Sequence, residues 1–191
     1  MGEIIEYLQS LPLDALVYVV VQAVCYILGL LIAAFALVLF FCQVFDRGTS
    51  SFGGVITCVN SGLMSYIFIG ASLWGIIIIL RDIFSAIAAP DAPIFELFDS
   101  VINTWQVIFA PVEFLTDNRL ISAIILLFVH IEPICTLIFH KRVVDRYDSE
   151  ILGEAIVVNR ALFLFLQIGL PIILLIMGNI VPELNYFEFA N

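Results

Sequence analysis

A chain of 191 residues with 63% hydrophobic and 13% charged residues and a mean hydropathy of +1.15 is not composed like a water-soluble domain, which carries roughly half apolar and a quarter charged residues. Seven Lys and Arg against seventeen Asp and Glu, a formal charge of −10, leave no basic surface for a phosphate backbone and exclude nucleic-acid binding. The composition points to an all-α, polytopic integral membrane protein, with no room outside the spans for a catalytic domain of ordinary size.

In chain order, the segment Met1 to Asp14 carries Glu3, Glu6 and Asp14 and no Lys or Arg, the reverse of a secretory or mitochondrial leader. Gly2 follows Met1, but Glu6 stands where a myristoylation signal has Ser or Thr, so no lipid anchor is expected. The first apolar run, about residues 15–45, is longer as a helix than a hydrocarbon core of about 30 Å and has to tilt or protrude. Asp46-Arg47-Gly48-Thr49-Ser50-Ser51 then reads as a tight interfacial turn.

The second run, about 52–80, contains Ser61, Gly62, Ser65, Gly70, Ala71, Ser72 and Gly75. Small side chains let helix backbones approach where lipid supplies no hydrophobic force. Ala71-x-x-x-Gly75 and a matching Gly29-x-x-x-Ala33 in the first run predict that these two helices pack as a close hairpin.

Between Arg81 and Arg119 lies the longest polar stretch, which Pro90, Pro93 and Pro111 are expected to partition. Across about 94–109 its apolar residues recur at intervals of three and four, predicting one interfacial amphipathic helix. Its charges, Glu96 and Asp99, are acidic, so docking onto protein is expected rather than binding to anionic lipid.

The third run, about 120–139, contains His130, Glu132 and Pro133, and ends at His140-Lys141-Arg142. The fourth, about 155–181, contains Gly169 and Pro171, a predicted kink, and is closed by Pro182. The expected domain is thus single, 1–191, with four transmembrane helices.

Arg47, Lys141, Arg142, Arg146 and Arg160 fall on one side of such a bundle, and only Arg81 and Arg119 on the other. Basic loops stay on the cytoplasmic or matrix side. Both termini are therefore expected on the intermembrane-space, periplasmic or exterior side, with a bacterial or mitochondrial inner membrane as the setting. The outer side then holds eleven carboxylates against two arginines, a surface suited to a basic partner or simply a solvated acidic rim.

Glu132 is the sharpest candidate for chemistry. A charge at the centre of a spanning helix costs roughly 3 kcal/mol, so this carboxyl should be protonated, paired with a cation or wet. It is read either as a structural contact or as a proton site. His130, two positions away, points to a different face and cannot form a dyad with it. His130 and His140, about 15 Å apart along one helix, cannot ligate one haem iron from both sides.

Lys141, Arg142, Arg146 and Arg160 form a candidate contact for anionic lipid such as cardiolipin, or merely fix orientation; Arg160 could instead pair with Glu154 or Asp145. Cys25, Cys42, Cys58 and Cys135 lie in apolar runs without metal-ligand spacing and are expected as free thiols. No nucleotide, zincin or triad motif occurs, so neither enzyme activity nor a metal or other cofactor is expected.

These features predict a non-catalytic accessory or scaffold subunit of a larger membrane complex, contacting other membrane subunits and lipids. The alternatives are a small proton or cation transporter using Glu132, and a redox-complex subunit giving a histidine to a shared haem or quinone site.

Overall fold

A computed structural model of the chain describes residues 2–88 and 92–169. Among them there is no strand. The helices are α1 (Gly2–Ser10), α2 (Leu13–Phe45), α3 (Phe52–Ile87), α4 (Pro93–Asp117), α5 (Arg119–Ile138), α6 (His140–Val144) and α7 (Glu150–Leu164). A 3-10 turn spans Arg47–Ser50, and a π turn, Phe165–Gly169, continues α7. Four of these helices are long and apolar enough to cross a membrane: Val19–Phe45, Phe52–Ile87, Arg119–Ile138 and Glu150–Gly169.

Helix ends follow local chemistry. Asp46 breaks α2 in extended geometry, and its carboxylate accepts from the Gly48 amide at 2.7 Å. Ser51 caps α3 through Gly54, Asn118 caps α5 through Leu120 and Ile121, and Ser149 caps α7 through Leu152. Each cap satisfies amides that the first turn of a helix leaves unpaired. The Pro93 ring opens α4, where a missing amide costs nothing.

α2 and α3 pack closely along their length. A Cβ on Gly29 would lie 2.6 Å from the Ser72 hydroxyl, and one on Gly75 would fall on the Tyr26 ring. Ala33 and Ala36 are buried against this seam. Ala71, expected to share it, is exposed instead. The buried edge of α3 runs through Ser61, Ser65, Ser72 and Gly75, and Ala71 lies just outside that arc.

The end of the bundle that holds the short loops is tied together. Arg47 pairs with Asp148 at 3.6 Å, Tyr147 covers Gly48, and its hydroxyl accepts from Gln43 Nε2 at 2.9 Å. At the opposite end α4 rests on α3 through Phe84 and Phe98, with ring centroids 5.7 Å apart, and through Arg81 and Asp99 at 3.4 Å. Its partly buried edge, including Ile94, Phe98, Ile102 and Trp105, carries the expected apolar spacing.

Several expected boundaries shift. α3 runs to Ile87, beyond residue 80, and Arg81 on this extension meets Asp99 of α4. α4 continues through Pro111 to Asp117, so that proline does not divide the segment. Phe139 interrupts the helix after the third span. The fourth span starts at Glu150, not 155, since Ser149 supplies the cap. Pro90, Pro171, Pro182 and residues 170–181 of the expected fourth span lie outside the described residues; the described part ends in the π turn, a local source of bending.

Candidate functional site

The half of the bundle nearer the short loops contains an ion pair. Glu132 on α5 and Arg160 on α7 meet at 2.9 Å between Oε2 and Nε, with side-chain exposures of 7% and 0%. By helical rise, Glu132 lies about 9 Å from the end of α5 and Arg160 about 15 Å from the start of α7.

Every guanidinium nitrogen is engaged. Besides Glu132, Arg160 Nη1 donates to Asn159 Oδ1 at 2.9 Å, and Nη2 donates to the Thr57 carbonyl at 3.0 Å and to Ser61 Oγ at 2.8 Å. Glu132 also accepts from Asn60 Nδ2 and, at 2.9 Å, from the Thr136 hydroxyl. The network reaches α2 twice: Asn159 donates to the Ile32 carbonyl at 3.1 Å, and Ser61 to Gln43 Oε1 at 2.8 Å.

This arrangement answers the electrostatic problem of charges buried away from water. An isolated buried charge is prohibitive, and a pair survives only with good geometry and its remaining hydrogen-bonding capacity filled. Both conditions hold, leaving Asn60 Oδ1 beside the pair and Ser65 Oγ on α3 without a hydrogen-bond partner among the described residues. Apolar side chains seal the flank away from the short loops, where Met64, Val129 and Phe163 pack with Ala36.

Arg160 is expected from the sequence to contact anionic lipid or to pair with Glu154 or Asp145. The structure places it inside, because α7 begins five residues earlier than expected and puts Arg160 a turn and a half deeper. Glu154 instead meets His140 Nε2 at 2.9 Å. Of the remaining cations, Lys141 and Arg142 are exposed, with Arg142 5.6 Å above the Phe139 ring. Arg146 is half-buried over Gly53 and donates to Thr57 Oγ1 at 3.4 Å. With Arg160 withdrawn, the short-loop end of the bundle keeps four cations, Arg47, Lys141, Arg142 and Arg146, amid Asp46, Asp145, Asp148, Glu150 and Glu154. It is therefore not a net basic patch.

His130 does not join Glu132. Its Nδ1 lies 2.7 Å from the Leu126 carbonyl and so carries the proton, and its ring sits 5.7 Å from Phe163.

No family model, no curated protein and no solved structure matches this chain. The function therefore has to be argued from the site. Among the described residues no group of three or more His, Cys, Asp and Glu could hold a metal ion. A groove of about 350 Å³ between α2 and α7, lined by Leu28, Leu31, Phe35 and Phe165 among others, is apolar and offers no catalytic group.

Sequence reasoning missed Thr57, Asn60, Ser61, Thr136, Asn159, Gln43 and Tyr147. Their signal was present: in the second run Thr57, Asn60, Ser61 and Ser65 recur at three, four and eight residues from the first, a polar stripe along one face of an otherwise apolar span.

Proposed function

We propose that this chain is a non-catalytic accessory subunit of a larger membrane assembly, in an energy-transducing inner membrane. Its role is to pack and position neighbouring subunits and lipids. The observation that carries this reading is the closure of the Glu132–Arg160 centre. Its charges are mutually neutralised and ligated from α3, α5 and α7, with α2 tied in through Asn159 and Ser61, so they serve to fix the helices and not to load or release an ion. The acidic side with α4 would meet a basic partner, and Lys141 and Arg142 would touch anionic headgroups such as cardiolipin.

Extraction from native membranes in mild detergent tests this. The expected result is migration in a complex well above the 21.3 kDa of the chain, with defined partners. A stable, monodisperse single chain without partners would contradict it.

A second reading, proton or cation transport, is favoured by one atom: Asn60 Oδ1, buried next to Glu132 and without a hydrogen-bond partner among the described residues. Flux in proteoliposomes that Glu132→Gln abolishes in a correctly folded protein would establish it; absence of flux would dismiss it.

A further inference from the structure

The α6–α7 loop, residues 145–149, folds over the turn between α2 and α3. The buried Tyr147 ring covers Gly48, and the Asp148 amide donates to the Asp46 carboxylate at 3.4 Å, on the oxygen that also accepts from the Gly48 amide. The two loops thus form a clasp. Its contacts do not stop at the surface. The Tyr147 hydroxyl accepts from Gln43 Nε2 at 2.9 Å, Gln43 Oε1 accepts from Ser61 Oγ at 2.8 Å, Ser61 Oγ accepts from Arg160 Nη2 at 2.8 Å, and Arg160 Nε donates to Glu132 at 2.9 Å. Gln43, Ser61 and Arg160 each have 0% exposure, so water does not substitute for a lost link.

Arg160 sets the direction of this chain. A guanidinium has donors and no acceptor, so the Ser61 oxygen must accept from it and keeps one proton to give. That proton has two acceptors in reach, Gln43 Oε1 and, at 3.0 Å, the Thr57 carbonyl. The carbonyl already accepts from Arg160 Nη2, so the proton goes to Gln43. The carboxamide must then turn its NH₂ toward Tyr147. Reversing any one link would set two donors or two acceptors face to face, and hydrogen bonds aligned in one direction polarise and strengthen each other. The loop has a second tie to α3, from Arg146 Nη1 to Thr57 Oγ1 at 3.4 Å; it is longer and stops at a hydroxyl whose proton goes to the Gly53 carbonyl of the same helix.

We infer that this chain is a latch, in which Tyr147 holds the two short loops closed only while Arg160 holds Ser61 and Ser61 holds Gln43. The surface that carries Arg47, Lys141 and Arg142 is thereby coupled to the Glu132–Arg160 centre, although Tyr147 and Arg160 share no contact. Losing the middle of the chain frees the Gln43 carboxamide to turn, and the clasp loosens at its far end. The latch belongs to the single chain and stands whether or not partners bind it.

Hydrogen exchange on the purified full-length chain in mild detergent tests this, read at the amides of Gly48, Thr49, Tyr147 and Asp148, all bonded within the clasp. Tyr147→Phe and Gln43→Leu should each raise exchange there about five- to a hundredfold, the range for one buried polar group left unsatisfied. Ser61→Ala, which touches neither loop, should raise it at least about threefold. Because the links act in series, Ser61→Ala combined with Tyr147→Phe should exceed the larger single effect by less than about twofold. Thr136→Val, which removes a ligand of Glu132 on the side away from Ser61, should leave the loops within about twofold of the parent. Loop exchange unchanged by Ser61→Ala, a double variant equal to the product of its singles, or an equal rise in Thr136→Val would each overturn the latch, the last by showing general loosening of the bundle.

Discussion

Removing one member of the Glu132–Arg160 pair should be far more damaging than its count of contacts suggests. In Glu132→Ala, a guanidinium with 0% exposure keeps Asn159, Thr57 and Ser61 but loses its counter-charge. Stranding one partner of a buried pair costs about 3–5 kcal/mol. Arg160→Ala strands the carboxylate with only Asn60 and Thr136 and also empties the volume of a large buried side chain, so its cost lies at or above the top of that range. The double variant strands no charge; what remains is a cavity and orphaned dipoles. The two single costs should therefore exceed the double cost by about 2–4 kcal/mol. This magnitude is diagnostic, because ordinary polar contacts between membrane helices couple by only about 0.6 kcal/mol on average. Reversible unfolding in mixed micelles of mild detergent and dodecyl sulfate gives all four corners of the cycle. Additivity within about 0.5 kcal/mol, the behaviour of independent sites, would refute the reasoning.

Other consequences are smaller. Alanine at three glycines should rank by what the new methyl meets: Gly54→Ala worst, because the obstacle is the Gly48 backbone carbonyl; Gly75→Ala next, because the Tyr26 ring must move, at about 1–3 kcal/mol; and Gly29→Ala mildest, because the Ser72 hydroxyl can rotate away. The same unfolding assay reads the order. Tyr147→Phe leaves Gln43 Nε2 without its buried acceptor and should cost about 1–3 kcal/mol, with hydrogen exchange accelerating first in the two short loops. Asp99→Asn should change stability by less than about 1 kcal/mol, since both partners of its pair are about half exposed, whereas Phe98→Ala should detach α4 from α3 and expose it to protease.

Which parts of this were legible in the sequence follows from the physics. Apolar run length pointed to four helices long and apolar enough to cross a membrane, and the bundle has four such helices, because hydrocarbon thickness sets a minimum length that is read directly from the sequence. Glu132 announced itself as a residue needing a partner, since a carboxylate in oil is anomalous wherever it occurs. The identity of that partner was not legible. It depended on the depth of Arg160, hence on where α7 begins, and Ser149 rather than hydropathy decides that. The ligands Thr57, Asn60 and Ser61 read as small or mildly polar residues of a packing helix; only the convergence of α3 with α5 and α7 turns them into one coordination shell. Ala71 misled for the opposite reason, because spacing suggested a seam whose azimuth only the bundle defines.

The account stands most directly on how the chain is threaded, with the loops near Ser50 and Lys141 on one side and α4 on the other. Single cysteines at Ser50, Gln106 and Lys141, in a background with Cys25, Cys42, Cys58 and Cys135 replaced, can be labelled in sealed vesicles with a membrane-impermeant maleimide. Positions 50 and 141 should react from the cytoplasmic or matrix side only, and position 106 from the opposite side only. Reaction of 106 and 141 from the same side would contradict the four-span bundle and the placement of the Glu132–Arg160 pair within it.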